Sequence, residues 1–340
     1  MNYFLPDVKR ISAFALLCLL LLGAAWLLFG AALLVPRQST DRLLIALPQQ
    51  PSAGAFFVAQ ERSLFDKQGL SLQVESHRMG KTALQSVLDG KADLALVADV
   101  PFMLAAMRGE PIATVGAVYE SRRGMAVLAR ADRGIARPEQ LAGKSVGTIA
   151  GTNGEFFLDT MLLAHNVPRA QVKVVALNIG ELGDALRSGK VDAITIWTPE
   201  LSSLQRELGA RAITLYGGDL FMLRFLIAGR SDFIAAHPEA LRKLMAALGE
   251  SNALIRTQPR QALAGIGRAV GTDPALLADS FNAGDYVLSL DQALLLTLGE
   301  ETRWAMGRGI IAPGAVPNYL DHVRQSPLEA AQPNAVRIIR

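Results

Sequence analysis

The clearest pattern of apolar and polar positions lies in Asn178–Glu200, NIGELGDALRSGKVDAITIWTPE. Leu182, Ala185 and Leu186 recur at helical spacing, and Gly189 stands where a left-handed residue ends a helix. Lys190 lies near that C-terminal end, where the helix dipole favours a cation. Asp192 leads into AITIW, a short apolar run rich in strand formers. Trp197, Thr198, Pro199 and Glu200 then form a loop at the strand's C-terminal end, the place where open α/β sheets bind ligands. The same grammar appears in Leu84–Pro101, LQSVLDGKADLALVADVP. Gly90-Lys91-Ala92-Asp93 corresponds to Gly189-Lys190-Val191-Asp192, and a short apolar strand follows each. The repetition predicts two similar α/β lobes, each presenting a loop to a shared cleft.

Taken in order, the pattern predicts a strand over Leu43–Leu47, a helix carrying Phe56, Phe57 and Leu64, and a strand from Leu70. A helix over Gly80–Leu88, a strand over Leu94–Ala98 and a helix over Val100–Met107 follow. Strands alternating with helices of this length indicate parallel βαβ units. Pro111–Val118 and Met125–Arg130 read as extended. SVGTIA is a strand, and Gly151-Thr152-Asn153-Gly154 turns into a helix over about Glu155–His165. Strands are predicted over Val172–Leu177, Ala212–Leu215 and Phe221–Ala228. From Ser231 onward the pattern is mostly helical, with Leu241, Leu244, Met245 and Leu248 on one face, and the tail is turn-rich.

The first residues differ in kind. Ile11–Val35 carries no charge, and as a helix it would span roughly 37 Å against a hydrocarbon core of ~30 Å. Lys9 and Arg10 precede it, which places residues 1–10 in the cytoplasm. No A-x-A-like cleavage site or lipoprotein box is evident, so an uncleaved anchor is favoured over a cleaved signal. Either way the rest of the chain is exported.

Composition narrows the classes. The 340 residues are 51% hydrophobic and 19% charged, which excludes a disordered chain and allows two compact lobes. A net charge of +3, with no basic run interleaved with aromatics, points away from nucleic acid. Cys18 is the single cysteine, so no intrachain disulfide forms. His77, His165, His237 and His322 are scattered, and no Cys/His spacing suits a metal; no metal or cofactor is expected.

Five pieces in order carry a resemblance: FVAQERSLFDKQGLSLQVES, ALQSVLDGKADLALVADVP, PEQLAGKSVGTIAGTNGEFFL, DALRSGKVDAITIWTPE and RSDFIAAHPEALRKL. Over about residues 42–325 the chain resembles periplasmic solute-binding proteins of ABC importers, in the branch that covers sulfonates, taurine, nitrate and thiamine-precursor pyrimidines. The resemblance implies an α/β type II periplasmic-binding-protein fold, with two Rossmann-like lobes, a hinge and an interlobe cleft. Here one N-terminal transmembrane helix would precede it, a departure from the usual cleaved leader. By position, residues 1–37 are the anchor or signal, 41–120 with 225–340 make lobe 1, and 121–224 make lobe 2. The crossing segments fall near Val118–Ala126 and Leu220–Ala228.

Candidate ligand contacts follow from strand ends and hinges. Gln49, Gln50 and Ser52 follow the first strand, and Asp99 follows the third, where it serves either the ligand or a helix cap. Thr152 and Asn153 open a helix whose free N–H groups suit an anionic or polar group. Trp197 either stacks on a planar solute or belongs to the core, and Glu200 lies in the loop beyond it. Tyr119 and Arg224 sit on the hinge segments, and Arg224, a lone charge in FMLRFLIAG, needs a partner from the protein or the ligand. Asp99, Glu120, Glu155, Glu200 and Asp219 would repel a strict oxyanion unless paired, so a neutral or zwitterionic solute or a heterocycle fits better.

The expected function is binding of a small solute on the periplasmic side of the inner membrane for delivery to an ABC permease, by a tethered monomer. An enzyme of thiamine-pyrimidine biosynthesis on the same fold is the first alternative. The resemblance implies that this branch uses a cysteine-rich motif, and Cys18 lies inside the apolar segment. A ligand-sensing subunit of a signalling system is the second.

Overall fold

The structure, a computed structural model, describes residues 41–339. The apolar segment 11–35, read above as a membrane anchor or signal, lies outside the described residues. Among the described residues no helix is long and apolar enough to cross a membrane.

Two sheets organise the fold. The chain opens with β1 (Asp41–Pro48), β2 (Leu70–His77) and β3 (Leu94–Ala98), and β1 pairs in parallel with both of the others. The helices Gly54–Glu61 and Gly80–Leu88 make the crossovers, as parallel strands require. β3 is buried along its whole length, which is why LALVA reads as an unbroken apolar run. Next come β4 (Ile112–Ser121), β5 (Met125–Arg130), β6 (Ser145–Thr148), β7 (Lys173–Ala176), β8 (Ala193–Trp197) and β9 (Ala212–Leu215). β10 (Leu223–Arg230), β11 (Tyr286–Asp291) and β12 (Val336–Arg337) complete the set. The seven-stranded sheet has the order β12-β11-β4-β10-β3-β1-β2, and the five-stranded sheet β7-β6-β8-β5-β9.

The chain therefore passes from the first sheet to the second after β4 and returns before β10. The two passages lie side by side, because β4 and β10 pair antiparallel up to Leu223 opposite Ser121. Helices pack on both sheets. Pro238–Thr257 buries Leu241, Leu244, Met245 and Leu248, the face expected from the sequence, and Gln292–Gly307 buries Leu294, Leu298, Glu301 and Thr302.

The sequence repeat has a shared structural role. Gly90 and Gly189 both take positive φ, 72° and 73°, and end the helices Gly80–Leu88 and Ile179–Ser188. Asp93 then receives the Leu44 N–H at 2.8 Å, and Asp192 receives the Ser145 N–H and hydroxyl, each at 2.8 Å. In each sheet the aspartate joins the start of its own strand to the neighbouring parallel strand. A carboxylate accepting a backbone N–H makes one of the stronger hydrogen bonds available there.

Four elements differ from the sequence reading. Pro199-Glu200 does not continue a loop: Glu200–Leu208 is a helix that buries Leu201, Leu204 and Leu208. β11 interrupts the region read as helical, and Pro259–Ala269 is a separate helix. The helix after Gly151-Thr152 begins at Asn153, two residues earlier than its apolar pattern suggests.

Candidate functional site

The C-terminal ends of the parallel strands in both sheets enclose one cavity. Its wall is made by Gln50, Pro51 and Ser52 after β1, Met79, Gly80 and Lys81 after β2, and Ala98 and Pro101 after β3. The second sheet contributes Thr152 and Asn153 after β6, and Trp197 and Thr198 at the end of β8. Tyr119, Met125, Leu223 and Phe225 close it where the two passages cross. The empty space is about 550 Å³, counted out to its mouth.

Most of this wall is apolar. Tyr119 meets Phe225 edge-on at 6.3 Å between ring centres and Tyr286 at 5.3 Å, which fixes its ring. Burial, followed by the nearby Asp285, raises the Tyr119 hydroxyl above its ordinary pKa, so it stays protonated at neutral pH. Lys81 is the only charged residue in the lining. Its ammonium donates to the Ala150 carbonyl at 3.1 Å, tying the first sheet's side of the cavity to the second's. Burial and then Arg108 lower its pKa, with Glu155 opposing them.

Four polar atoms stand apart. Among the described residues, Ser52 Oγ, Asn153 Oδ1, Trp197 Nε1 and Thr198 Oγ1 are buried without a hydrogen-bond partner, and all four belong to lining residues. Buried polar groups in native proteins are rarely left unpaired. Helices also begin at this wall. Gly80–Leu88, Asp99–Met107 and Asn153–Ala164 start at or beside lining residues, and Gly54–Glu61 follows the turn at Pro51–Ala53. Free N–H groups at helix starts favour partial negative charge nearby.

Behind Asn153 lies a buried acid pair. Asp99, fully buried, receives the Asn153 side-chain N–H and the Val100 N–H on Oδ1. Its Oδ2, and both oxygens of the fully buried Glu301, find no N–H or hydroxyl donor. The two carboxyls lie within hydrogen-bonding reach of each other. Like charges this close disfavour double ionisation, which raises the pKa of at least one of the two acids. Burial raises both acids, Glu301 well above its usual range, with Asp99 the second cause there. Asp99 already accepts two N–H groups, which favours Glu301 as the acid that holds the proton.

The candidate residues divide by position. Gln50, Ser52, Tyr119, Thr152, Asn153 and Trp197 line the cavity. Gln50 also donates to the Arg78 carbonyl at 3.2 Å. The Thr152 side chain caps the helix by accepting the Gly154 N–H, and its hydroxyl donates to Ile149 at 2.7 Å. Asp99 lies behind Asn153 and is absent from the lining. Gln49 and Glu200 line a neighbouring opening with Arg78, on the outer side of the same loops. Burial raises the Glu200 carboxyl, with its own backbone N–H and Arg78 opposing. Arg224 is directed away from the cavity. It pairs with Glu120, its register partner on β4, at 3.5 Å and donates to Thr297 at 3.0 Å.

Sequence reasoning passed over Met79, Gly80 and Lys81. The signal was their place just after β2, equivalent to Gln50 after β1. Glu301 had no comparable signal, because an acid next to Glu300 in an amphipathic helix reads as surface.

With this geometry in hand, comparison with known proteins is decisive for the family. The family described as NMT1/THI5 like matches residues 50–262, more than half of the chain. The chain belongs to the NMT1/THI5-like family. Among relatives, a protein of Brucella abortus (strain 2308) named only as a binding protein is 22% identical over 253 residues, 74% of this chain and 78% of the relative. The taurine-binding periplasmic protein of Escherichia coli (strain K12) is 21% identical over 206 residues, 58% of this chain and 62% of the relative. The relatives also include an enzyme, the 4-amino-5-hydroxymethyl-2-methylpyrimidine phosphate synthase of Saccharomyces cerevisiae (strain ATCC 204508 / S288c), 24% identical over 242 residues, 66% of this chain and 70% of that one. In structure, the periplasmic aliphatic sulphonate binding protein SsuA from Escherichia coli superposes with a TM-score of 0.73 at 17% identity, covering 83% of this chain and 97% of that one. The desulfurization enzyme DSZB superposes at 0.64 with 15% identity, covering 86% and 99%. The two-sheet α/β arrangement of this family member is the periplasmic-binding-protein fold.

Proposed function

We propose that the chain is an extracytoplasmic receptor that holds one small solute in the cavity between its two sheets and delivers it to an ABC permease. The observation that carries this reading is the set of four buried, unpartnered polar atoms belonging to residues of a mostly apolar wall. Such a wall, with a few convergent polar groups, is what small-molecule sites look like. The names of binding-protein relatives point the same way, to a solute of sulfonate or taurine type, and the sequence resemblance adds nitrate and pyrimidines to that range. We assign lobe 1 to residues 41–120 and 225–340 and lobe 2 to 121–224. The hinge is the pair of passages near Val118–Ala126 and Leu220–Ala228, and closure about them shuts the cavity. A monomer suffices, since one chain supplies both jaws.

The enzyme reading would have to draw on hydroxyls and Lys81, since no histidine, cysteine or carboxylate is among the lining residues. The test is a thermal-shift screen of the full chain over sulfonates, nitrate, amino acids and pyrimidines. One chemical class should raise the midpoint, and a ligand at 100 times its Kd should add about 2.7 kcal/mol. Product formed from any of these solutes would sink the receptor reading. The apolar segment Ile11–Val35 further supports tethering to the inner membrane with the folded part on the periplasmic side. The protein should stay with membranes through a high-salt wash; its recovery as a soluble form beginning near residues 33–40 would show signal cleavage instead.

A further inference from the structure

We infer that the solute carries both a hydrogen-bond donor and an acceptor, with Asn153 reading the donor and Trp197 reading the acceptor. The inference rests on the cavity being the solute site. Of the four unpartnered atoms, the Ser52 and Thr198 hydroxyls can either donate or accept, so they discriminate little. The other two are one-way. Trp197 Nε1 only donates, and Asn153 Oδ1 only accepts. Both side chains are more than nine-tenths buried, Asn153 at 2% and Trp197 at 8% exposure.

The orientation of Asn153 is what makes it selective, and the acid pair sets that orientation. The Asn153 amide donates to Asp99 Oδ1, which also holds the Val100 N–H at 3.1 Å. Turning the amide over would press its oxygen against the Asp99 carboxylate. In this scheme a protonated Glu301, buried beside Asp99, keeps Asp99 in the accepting state, with Oδ2 the oxygen that no other described group serves. Asn153 Oδ1 is thereby left for the ligand. A solute that only accepts, such as a plain alkanesulfonate or nitrate, satisfies Trp197 and leaves Asn153 buried and unpaired. One with an N–H or O–H beside its acceptor satisfies both. Sites built to bond a polar group reject analogues that lack it far more strongly than apolar pockets reject a missing methylene. Asp99 and Glu301 are positioning residues in this scheme, and Asn153 and Trp197 determine specificity.

Matched pairs that differ by one donor test it: ethanesulfonate against 2-hydroxyethanesulfonate, and 2-methylpyrimidine against 4-amino-2-methylpyrimidine. Each is titrated calorimetrically into the full chain. In a pair that binds, the member with the donor should bind at least about ten-fold tighter. Asn153→Leu should bring that ratio to within about two-fold, whereas Trp197→Phe should weaken both members alike, because both carry acceptors. Should Asn153→Leu fail to fold, the ratio in the unaltered protein still decides. Equal or tighter binding by the member without the donor overturns the inference and leaves the receptor reading standing, as does a ratio that survives Asn153→Leu. Binding by no member of either pair, with no hit in the wider screen, overturns both.

Discussion

At the scale of the residue, the most consequential group is Glu301. It faces Asp99, Arg224, Glu300 and the Tyr319 hydroxyl, and burial holds its carboxyl well above the usual value of 4.5. The folded state thus binds this proton more tightly than the unfolded chain. The stability it contributes is full below about pH 4.5 and is lost as pH rises toward the folded value. Glu301→Gln keeps a donor for Asp99 but has no proton to lose. Urea unfolding at a series of pH values should show the variant's stability falling less steeply above pH 4.5, by up to about 1.4 kcal/mol per pH unit. A variant as pH-dependent as its parent would mean that Glu301 holds no such proton. Asp99 was legible in the sequence as a polar residue at a strand's C-terminal end. Its use was not, because the acid that completes it arrives on a distant helix. Arg224 was legible as a charge in need of a partner, and antiparallel register supplies Glu120 from β4.

Among elements, the twin Gly-Lys-x-Asp segments carry the two βαβ halves. The helix end is set by a left-handed glycine and the strand start by an aspartate clamped to its neighbour. Removing the Asp192 carboxylate leaves the Ser145 N–H and hydroxyl without that acceptor at a partly buried edge. Asp192→Ala should therefore lower stability by about 1–3 kcal/mol in chemical denaturation. A loss too small to measure would reduce the repeat to coincidence. Strands such as Ala212–Leu215 and helices such as Gly80–Leu88 were legible at their true bounds, because their apolar period agrees with what packs on them. Glu200–Leu208 was not, since Thr-Pro-Glu reads as a turn even though Leu201, Leu204 and Leu208 recur behind it. β11 was hidden because YVLSLD runs directly into the apolar stretch of the next helix.

For the whole molecule, the sequence disclosed the two-sheet plan through its repeat, but not which loops would share a cavity. That depends on how the sheets meet at the β4 and β10 passages, a property of long-range packing that no local pattern encodes. Gln49 and Glu200 show the difference, lying one and two residues from lining residues and opening to the other side. The site claim is open to a direct measurement. A solute found by thermal shift is titrated calorimetrically into the full chain and into Ser52→Trp, which places an indole in the cavity. One solute per chain should bind the parent, and none should bind the variant while circular dichroism shows it folded. Undiminished binding to the folded variant would place the solute elsewhere and contradict the assignment of this cavity.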